Sequence, residues 1–367
     1  MTFRSDWLAL SFFQAKVLSV TQGKSMTIRV AINGFGRMGR NFLRAVHASQ
    51  KEMEIVCIND LASPEVLAHM TKYDSIMGTF PKSVSHTDKG IRIDDKVVHT
   101  SAETDPAHLP WKSFAIDVVI EATGRFTKAA DARKHVDAGA RKVIISAPAT
   151  DEDITIVMGV NDARFDRQRH TVVSCASCTT NCVAPMAKVL LDTFGIEKGF
   201  MTTVHAYTTE QQLLDQIAMS RSGKPNLRRM RASAINIVPT TTGAARATSL
   251  VLPELKGKLD GLAFRVPVPA GSVTDLVVTL SRDTSIKEIN AAFKKASDGN
   301  LRGVLAYTED EIVSSDIVGT SPSCTFDAAL TMVNDNQVKV VGWYDNEWGY
   351  SNRLADLASL VGKRQPE

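Results

Sequence analysis

The 367-residue chain has only five cysteines, Cys57, Cys175, Cys178, Cys182 and Cys324. So few thiols in so long a chain exclude a disulfide scaffold and make a reducing, cytoplasmic setting the default. No apolar run approaches the roughly 20 residues that cross a bilayer, so no membrane partner is expected. The formal net charge is only +3, too little by itself to make nucleic acid a primary partner. There is no internal repeat and no low-complexity tract, which sets aside solenoids and disordered chains. What is present is 44% hydrophobic and 23% charged, the composition of a soluble globular protein. The length implies two cores, since single cores rarely grow past roughly 250–300 residues.

Residues 1–25 differ in character from the rest of the chain. Their apolar run, from Trp7 to Phe13, is broken by Ser11 and lacks the basic flank and cleavage site of a secretory signal. Only Asp6 is acidic, which leaves an organelle-targeting peptide open; the favoured reading is a dispensable extension or a start codon set too early. From Met26 onward, strand-like and helix-like segments alternate. Strands are predicted over 28–33, 54–59, 117–122 and 142–146, and helices over 38–49 and 127–138. That alternation predicts an α/β unit with a Rossmann-type, doubly wound parallel sheet. Beyond Cys178 the strands lengthen and alternate, over 200–207, 261–268 and 273–280. This pattern predicts a second, α+β unit with a largely antiparallel sheet, helices covering one face. A long polar stretch over 208–236 reads as functional or interfacial. A last helix is predicted from about 348 to 361.

The segment Asn33-Gly34-Phe35-Gly36-Arg37-Met38-Gly39 contains G-x-G-x-x-G between a strand and a helix. Gly34 permits the tight turn, Gly36 lets the backbone approach a pyrophosphate, and Gly39 lets helix and strand pack closely. The helix N-terminus adds N–H donors and positive potential. Asp60 ends the second predicted strand about 20 residues later, where an acid accepts from ribose hydroxyls and repels a 2′-phosphate. Together they point to NAD. Asp60 as a mere helix cap is the competing reading.

The densest chemical signal is Ser177-Cys178-Thr179-Thr180-Asn181-Cys182. Cys175, Cys178 and Cys182 lack a fourth ligand nearby and fit no structural zinc spacing, so no metal is expected. Cys178 follows a strand and precedes a helix-like run over 183–191. A thiol at a helix N-terminus is expected to have a lowered pKa, and the thiolate is the nucleophile. Cys175 and Cys182 read as structural thiols. His205 lies on an alternating strand; sequence spacing alone cannot pair it with Cys178.

These segments, with His205-Ala206-Tyr207-Thr208, resemble the active site of phosphorylating glyceraldehyde-3-phosphate dehydrogenases. So do Pro239-Thr240-Thr241-Thr242-Gly243-Ala244-Ala245, Phe264-Arg265-Val266-Pro267 and Trp343-Tyr344-Asp345-Asn346-Glu347-Trp348-Gly349-Tyr350. The resemblance runs from Met26 to about Val361. It implies an extension over 1–25, an NAD-binding unit over 26–177, a catalytic unit over 178–342 and a C-terminal helix over 343–367 that returns to the first unit.

The resemblance further implies that Cys178 is the nucleophile and His205 its base and acid. Thr208 and Arg265 would hold the substrate's C3 phosphate. Ser177, Thr179, Thr242 and Gly243, with Arg229 nearby, would hold the attacking inorganic phosphate. Gly36, Arg37, Met38, Asp60, Thr123, Ser146 and Asn346 would line the NAD site. Glyceraldehyde 3-phosphate and phosphate are the implied substrates, in glycolysis or gluconeogenesis, and a homotetramer the implied assembly. The loop over 216–226 departs from the usual bacterial form, which leaves NAD against NADP preference and assembly open. Its Ser220, Arg221, Ser222 and Lys224 are candidates to reach an NADP phosphate. Erythrose-4-phosphate dehydrogenase is the nearest rival, disfavoured because Ala206-Tyr207-Thr208 and Thr242-Gly243 are kept. A secondary protein- or nucleic-acid-binding role could draw on Arg221, Lys224, Arg228, Arg229 and Arg231.

Overall fold

The computed structural model describes residues 27–217, 219 and 225–364. The extension over 1–25 therefore lies outside the described residues, as do Ser220, Arg221, Ser222 and Lys224 of the long loop.

The first sheet has nine strands: β1 (Ile28–Asn33), β2 (Met53–Asn59), β3 (Val84–Thr87), β4 (Gly90–Ile93), β5 (Lys96–Ser101), β6 (Val118–Glu121), β7 (Lys142–Ile145), β8 (Ile154–Thr155) and β9 (Val172–Ser174). Their order is β3-β4-β5-β2-β1-β6-β7-β9-β8. All neighbours are parallel except β3–β4 and β4–β5, a short meander at one edge. Strands β6 and β7 are buried along their whole length. Continuous burial of this kind requires cover on both faces. Helix α1 (Arg37–Ala48) and α8 (Trp348–Gly362) supply one face, sharing a core with Phe42, Leu43, Leu354 and Leu357. Helix α3 (Ala129–Asp137) covers the other through Ala129 and Ala132, beside Trp111 and Val143. Helix α2 (Pro64–Lys72), capped by Ser63, packs near the edge meander.

The sheet order reverses between β1 and β6, the switch point whose crevice takes ligands in open parallel sheets. The turn after β1 opens onto it. Gly34 has φ +90°, and a Cβ there would stand 2.6 Å from the Thr123 nitrogen. A Cβ on Gly39 would stand 2.3 Å from the Gly34 carbonyl oxygen. The two glycines thus let α1 start immediately against the strand.

The second sheet has seven strands: β10 (Ile196–Ala206), β11 (Val238–Thr241), β12 (Leu259–Val266), β13 (Ser272–Leu280), β14 (Leu305–Thr308), β15 (Cys324–Asn334) and β16 (Gln337–Tyr344). Their order is β11-β12-β10-β13-β16-β15-β14. Four of the six pairings are antiparallel; β10–β12 and β14–β15 are parallel. Along β13 every second residue is buried, the mark of a sheet with one face on a core. That face packs on α4 (Cys178–Phe194), α5 (Ala244–Val251) and α6 (Ile286–Asp298), where Leu190, Phe293, Leu276 and Val340 meet. The one-turn α7 (Ser314–Ile317) lies beside β16.

Candidate active site

The nucleophile candidate sits at a sharp elbow. Strand β9 ends at Ser174, and buried Ala176 takes φ +55° before α4 begins at Cys178. A non-glycine residue there carries strain of order 1 kcal/mol or more. Asn181 holds the turn by donating to the carbonyls of Cys175 (2.8 Å) and Ser177 (3.0 Å), and Tyr350 donates its hydroxyl to that of Ala176 (3.1 Å). Ser177 is the N-cap, its Oγ accepting from the Thr180 N–H at 3.0 Å. Cys178 is therefore the first residue of a 17-residue helix, with part of its surface open. The helix begins five residues earlier than its apolar run over 183–191 suggests, because the cap, not the run, sets the start.

Strand β10 brings His205 to this point. Its Nε2 lies 3.4 Å from the Cys178 sulfur, joining two residues 27 apart in sequence. The other ring nitrogen lies 2.6 Å from the Ala206 carbonyl oxygen. A proton on Nδ1 would satisfy that carbonyl and leave the Nε2 lone pair facing the thiol, whereas a bond accepted from Arg265 at Nδ1 would put the proton on Nε2. Arg265 stands directly across from His205 on parallel β12, its Nη1 2.8 Å from Nδ1. Nη1 donates to the Ala206 carbonyl (3.0 Å) and lies 3.5 Å from the Thr208 hydroxyl oxygen.

The expected depressed thiol pKa is corrected here. Burial pushes the Cys178 thiol up to about 11, against the opposing pull of Arg265 and of hydrogen bonds from Thr179. Burial, and next the Arg265 charge, push His205 down to about 3. Burial thus favours the neutral forms of both groups, a thiol beside an imidazole. With Nδ1 protonated, such a pair can act by proton transfer, the thiol passing its proton to Nε2 as the sulfur attacks.

Next to the pair lies a cationic notch. Arg229 donates through Nε to Thr240 Oγ1 at 3.0 Å, and its Nη1 pairs with Glu210. Arg265 Nη2 lies 3.5 Å from the same Glu210 oxygen. A carboxylate oxygen thus occupies the place of an anion between two guanidiniums. Arg265 Nε is buried with no partner, a donor left over for a ligand. Thr242 and Gly243 lie at the N-terminus of α5, with open space where a Gly243 Cβ would stand. The Thr179 hydroxyl turns inward to Tyr344 (2.9 Å). Sequence reasoning named neither Glu210 nor Tyr344 as contributors. Tyr344 lay inside a quoted motif, and its hydroxyl also meets Thr203 at 2.8 Å beneath the His205 ring.

Most of the dinucleotide candidates gather at the switch point, whereas Asn346 lies beside Ser272 of β13 in the second sheet. No atom lies within 4 Å of a Cβ built on Gly36, a cradle open to a ligand. Asp60 Oδ2 accepts from the Phe35 N–H at 2.8 Å, so the acid also fastens the glycine turn. The Arg37 side chain is committed to Glu347 and to Asp74 (2.9 Å). Burial opposes its charge, but the two carboxylates outweigh this and raise its pKa. Its contribution to a pyrophosphate is then through the backbone. Met38 follows on α1, partly buried against the first core. Ser146 donates its N–H and its hydroxyl to the Glu121 carbonyl, both at 3.0 Å. Asn346, buried, accepts from Ser272 Oγ at 3.1 Å. Of the basic cluster over 221–231, Arg229 and Arg231 are paired with Glu210 and Asp215.

Residues 28–129 match the family described as glyceraldehyde 3-phosphate dehydrogenase, NAD binding domain, and residues 177–346 match glyceraldehyde 3-phosphate dehydrogenase, C-terminal domain. The chain is 60% identical over 341 residues to the glyceraldehyde-3-phosphate dehydrogenase of Streptomyces coelicolor, covering 92% of this chain and 100% of the relative. Identity to glyceraldehyde-3-phosphate dehydrogenase 2 of Streptomyces avermitilis is 59% over 340 residues, covering 92% and 100%. For the Mycolicibacterium smegmatis protein of the same name it is 58% over 346 residues, covering 92% and 99%.

Proposed function

The chain belongs to the glyceraldehyde-3-phosphate dehydrogenase family, and from that membership we propose an NAD-dependent, phosphorylating oxidation of glyceraldehyde 3-phosphate to 1,3-bisphosphoglycerate, in glycolysis or gluconeogenesis. The observation that carries it is the 3.4 Å approach of Cys178 to His205 beside the Arg229–Arg265 notch.

In the proposed reaction the Cys178 sulfur attacks the aldehyde carbon, and the thiol proton goes to His205. The oxyanion, toward which the Cys178 N–H at the start of α4 is a donor, takes that proton back from His205 to give a hemithioacetal. His205 then removes the hydroxyl proton as C1 loses hydride. NAD, when bound, is the hydride acceptor. A thioester remains on Cys178, and a phosphate oxygen attacks it, releasing the acyl phosphate and restoring the thiol. Arg265 and Thr208 fit the substrate phosphate. Ser177, Thr179, Thr242, Gly243 and Arg229 fit the attacking phosphate, through forked charged donors and neutral ones. The open cradle at Gly36, with Asp60, Thr123 and Ser146 around the switch point and Asn346 beside Ser272, fits NAD.

We assign the NAD-binding unit to 26–177, the catalytic unit to 178–342 and the returning helix to 343–367. A homotetramer is supported by exposed Leu213, Leu214, Ile217, Leu227, Ile235 and Ile237, apolar surface that self-association would bury. Among the described residues no helix is long and apolar enough to cross a membrane. All five cysteines are free, in keeping with a reducing cytoplasm. The test is NADH formation from glyceraldehyde 3-phosphate with and without inorganic phosphate. Turnover should depend on phosphate. Equal steady-state turnover without it would refute the phosphorylating step.

A further inference from the structure

The last residues of four adjacent strands are joined side chain to side chain beneath the switch point. Ser101 of β5 donates its hydroxyl to Asn59 Oδ1 of β2 at 2.9 Å. Asn59 Nδ2 donates to Asn33 Oδ1 of β1 at 2.8 Å, and Asn33 Nδ2 donates to Glu121 Oε2 of β6 at 2.6 Å. Just past β7, Ser146 donates twice to the Glu121 carbonyl. Glu121 is the hub, and it is 1% exposed.

Its surroundings fix its state. Trp111 Nε1, which can only donate, points at His135 Nδ1 at 2.9 Å. That nitrogen must accept, so the ring is neutral with its proton on Nε2, which lies 3.0 Å from Glu121 Oε2. The Thr123 N–H donates to Oε1 at 2.9 Å, and the Thr123 hydroxyl donates to the same oxygen. Both oxygens of Glu121 are therefore acceptors, and the group is a carboxylate. None of the four side-chain and main-chain donors around it is charged. The anion is held by hydrogen bonds alone, and an amide in its place would set an NH2 against donors that it cannot accept from.

We propose that Glu121, braced by His135 and Trp111, is a positioning residue for NAD, setting the Thr123 turn and Ser146 on the far side of the crevice. The Thr123 turn bears directly on the phosphate loop, since the Gly34 backbone leaves no room for a Cβ against it. A tilt of Thr123 is thus passed to the glycine turn that receives the pyrophosphate. The proposal rests on the NAD-site reading above.

The test is isothermal titration of NAD into the full-length protein. Glu121→Gln should weaken binding about tenfold or more, the scale of one orphaned buried donor. The rate of Cys178 alkylation without cofactor should stay within about twofold. His135→Gln, which keeps a donor toward Glu121, should bind NAD better than His135→Leu. In the parent protein the Trp111 indole N–H resonance, assigned with Trp111→Phe, should move as NAD saturates. An unchanged NAD affinity in folded Glu121→Gln would overturn the proposal. Where that variant fails to fold, equal affinity in the two His135 variants overturns it. Asp60→Ala separates the two readings. Full NAD affinity there faults the site itself, whereas weak binding there with normal binding in Glu121→Gln faults only the strut.

Discussion

Acidification should penalise the native state through His205. The residue is 3% exposed, and burial with the adjacent Arg265 holds its pKa at about 3, against 6.5 ordinarily. Between pH 6.5 and 3 the unfolded chain binds a proton here that the folded chain does not. Stability is therefore lost as pH falls through that window, and above it the effect vanishes. At pH 5 the distance below the unfolded value is about 1.5 units, which at about 1.36 kcal/mol per unit is about 2 kcal/mol. His205→Asn removes the titrating ring. Thermal unfolding of parent and variant at pH 7.5 and 5.0 isolates the effect from the other groups that titrate. Whatever the offset at pH 7.5, the variant should gain about 2 kcal/mol on the parent at pH 5. That corresponds to roughly 4–8 °C in Tm for a unit of 150–250 residues. A gap unchanged between the two pH values would refute the buried neutral imidazole. The same variant should slow hydride transfer by roughly 10²–10⁴-fold, the usual worth of a general base.

Cys178→Ala should abolish aldehyde oxidation while leaving NAD binding intact, because the sulfur carries the acyl group and not the dinucleotide; retained oxidation would sink the mechanism. Asp60→Asn should narrow the preference for NAD over NADP, read as the ratio of kcat/KM values. The amide still accepts from the Phe35 N–H but no longer repels a 2′-phosphate, a repulsion of about 1–4 kcal/mol at about 4 Å in a partly hydrated cleft. An unchanged ratio would show that discrimination lies elsewhere.

Much of the fold was legible because it is written locally. The G-x-G-x-x-G turn needed only a strand before it and a helix after it, and both are there. The alternation on β13 announced a sheet with one buried face. Less legible were the β3–β5 meander, which is short and partly exposed, and the true start of α4, set by Ser177 as cap.

By itself the sequence determined the chemistry available: a thiol where a helix starts, an imidazole on a strand, a glycine turn and an acid one strand later. Tertiary structure decided what that chemistry becomes. It closed 27 residues of sequence to 3.4 Å between Cys178 and His205, and set Arg265 across β10–β12 from the imidazole. It also set burial of the thiol and imidazole against the pull of the helix terminus. A helix terminus acts within one turn and can be read along the chain, whereas desolvation sums over neighbours from α4, β10, β12 and β16 that meet only when the sheet assembles. The strut through Glu121 has the same origin. Its members lie from Asn33 to Ser146, and only the register of five parallel strands brings them into one line.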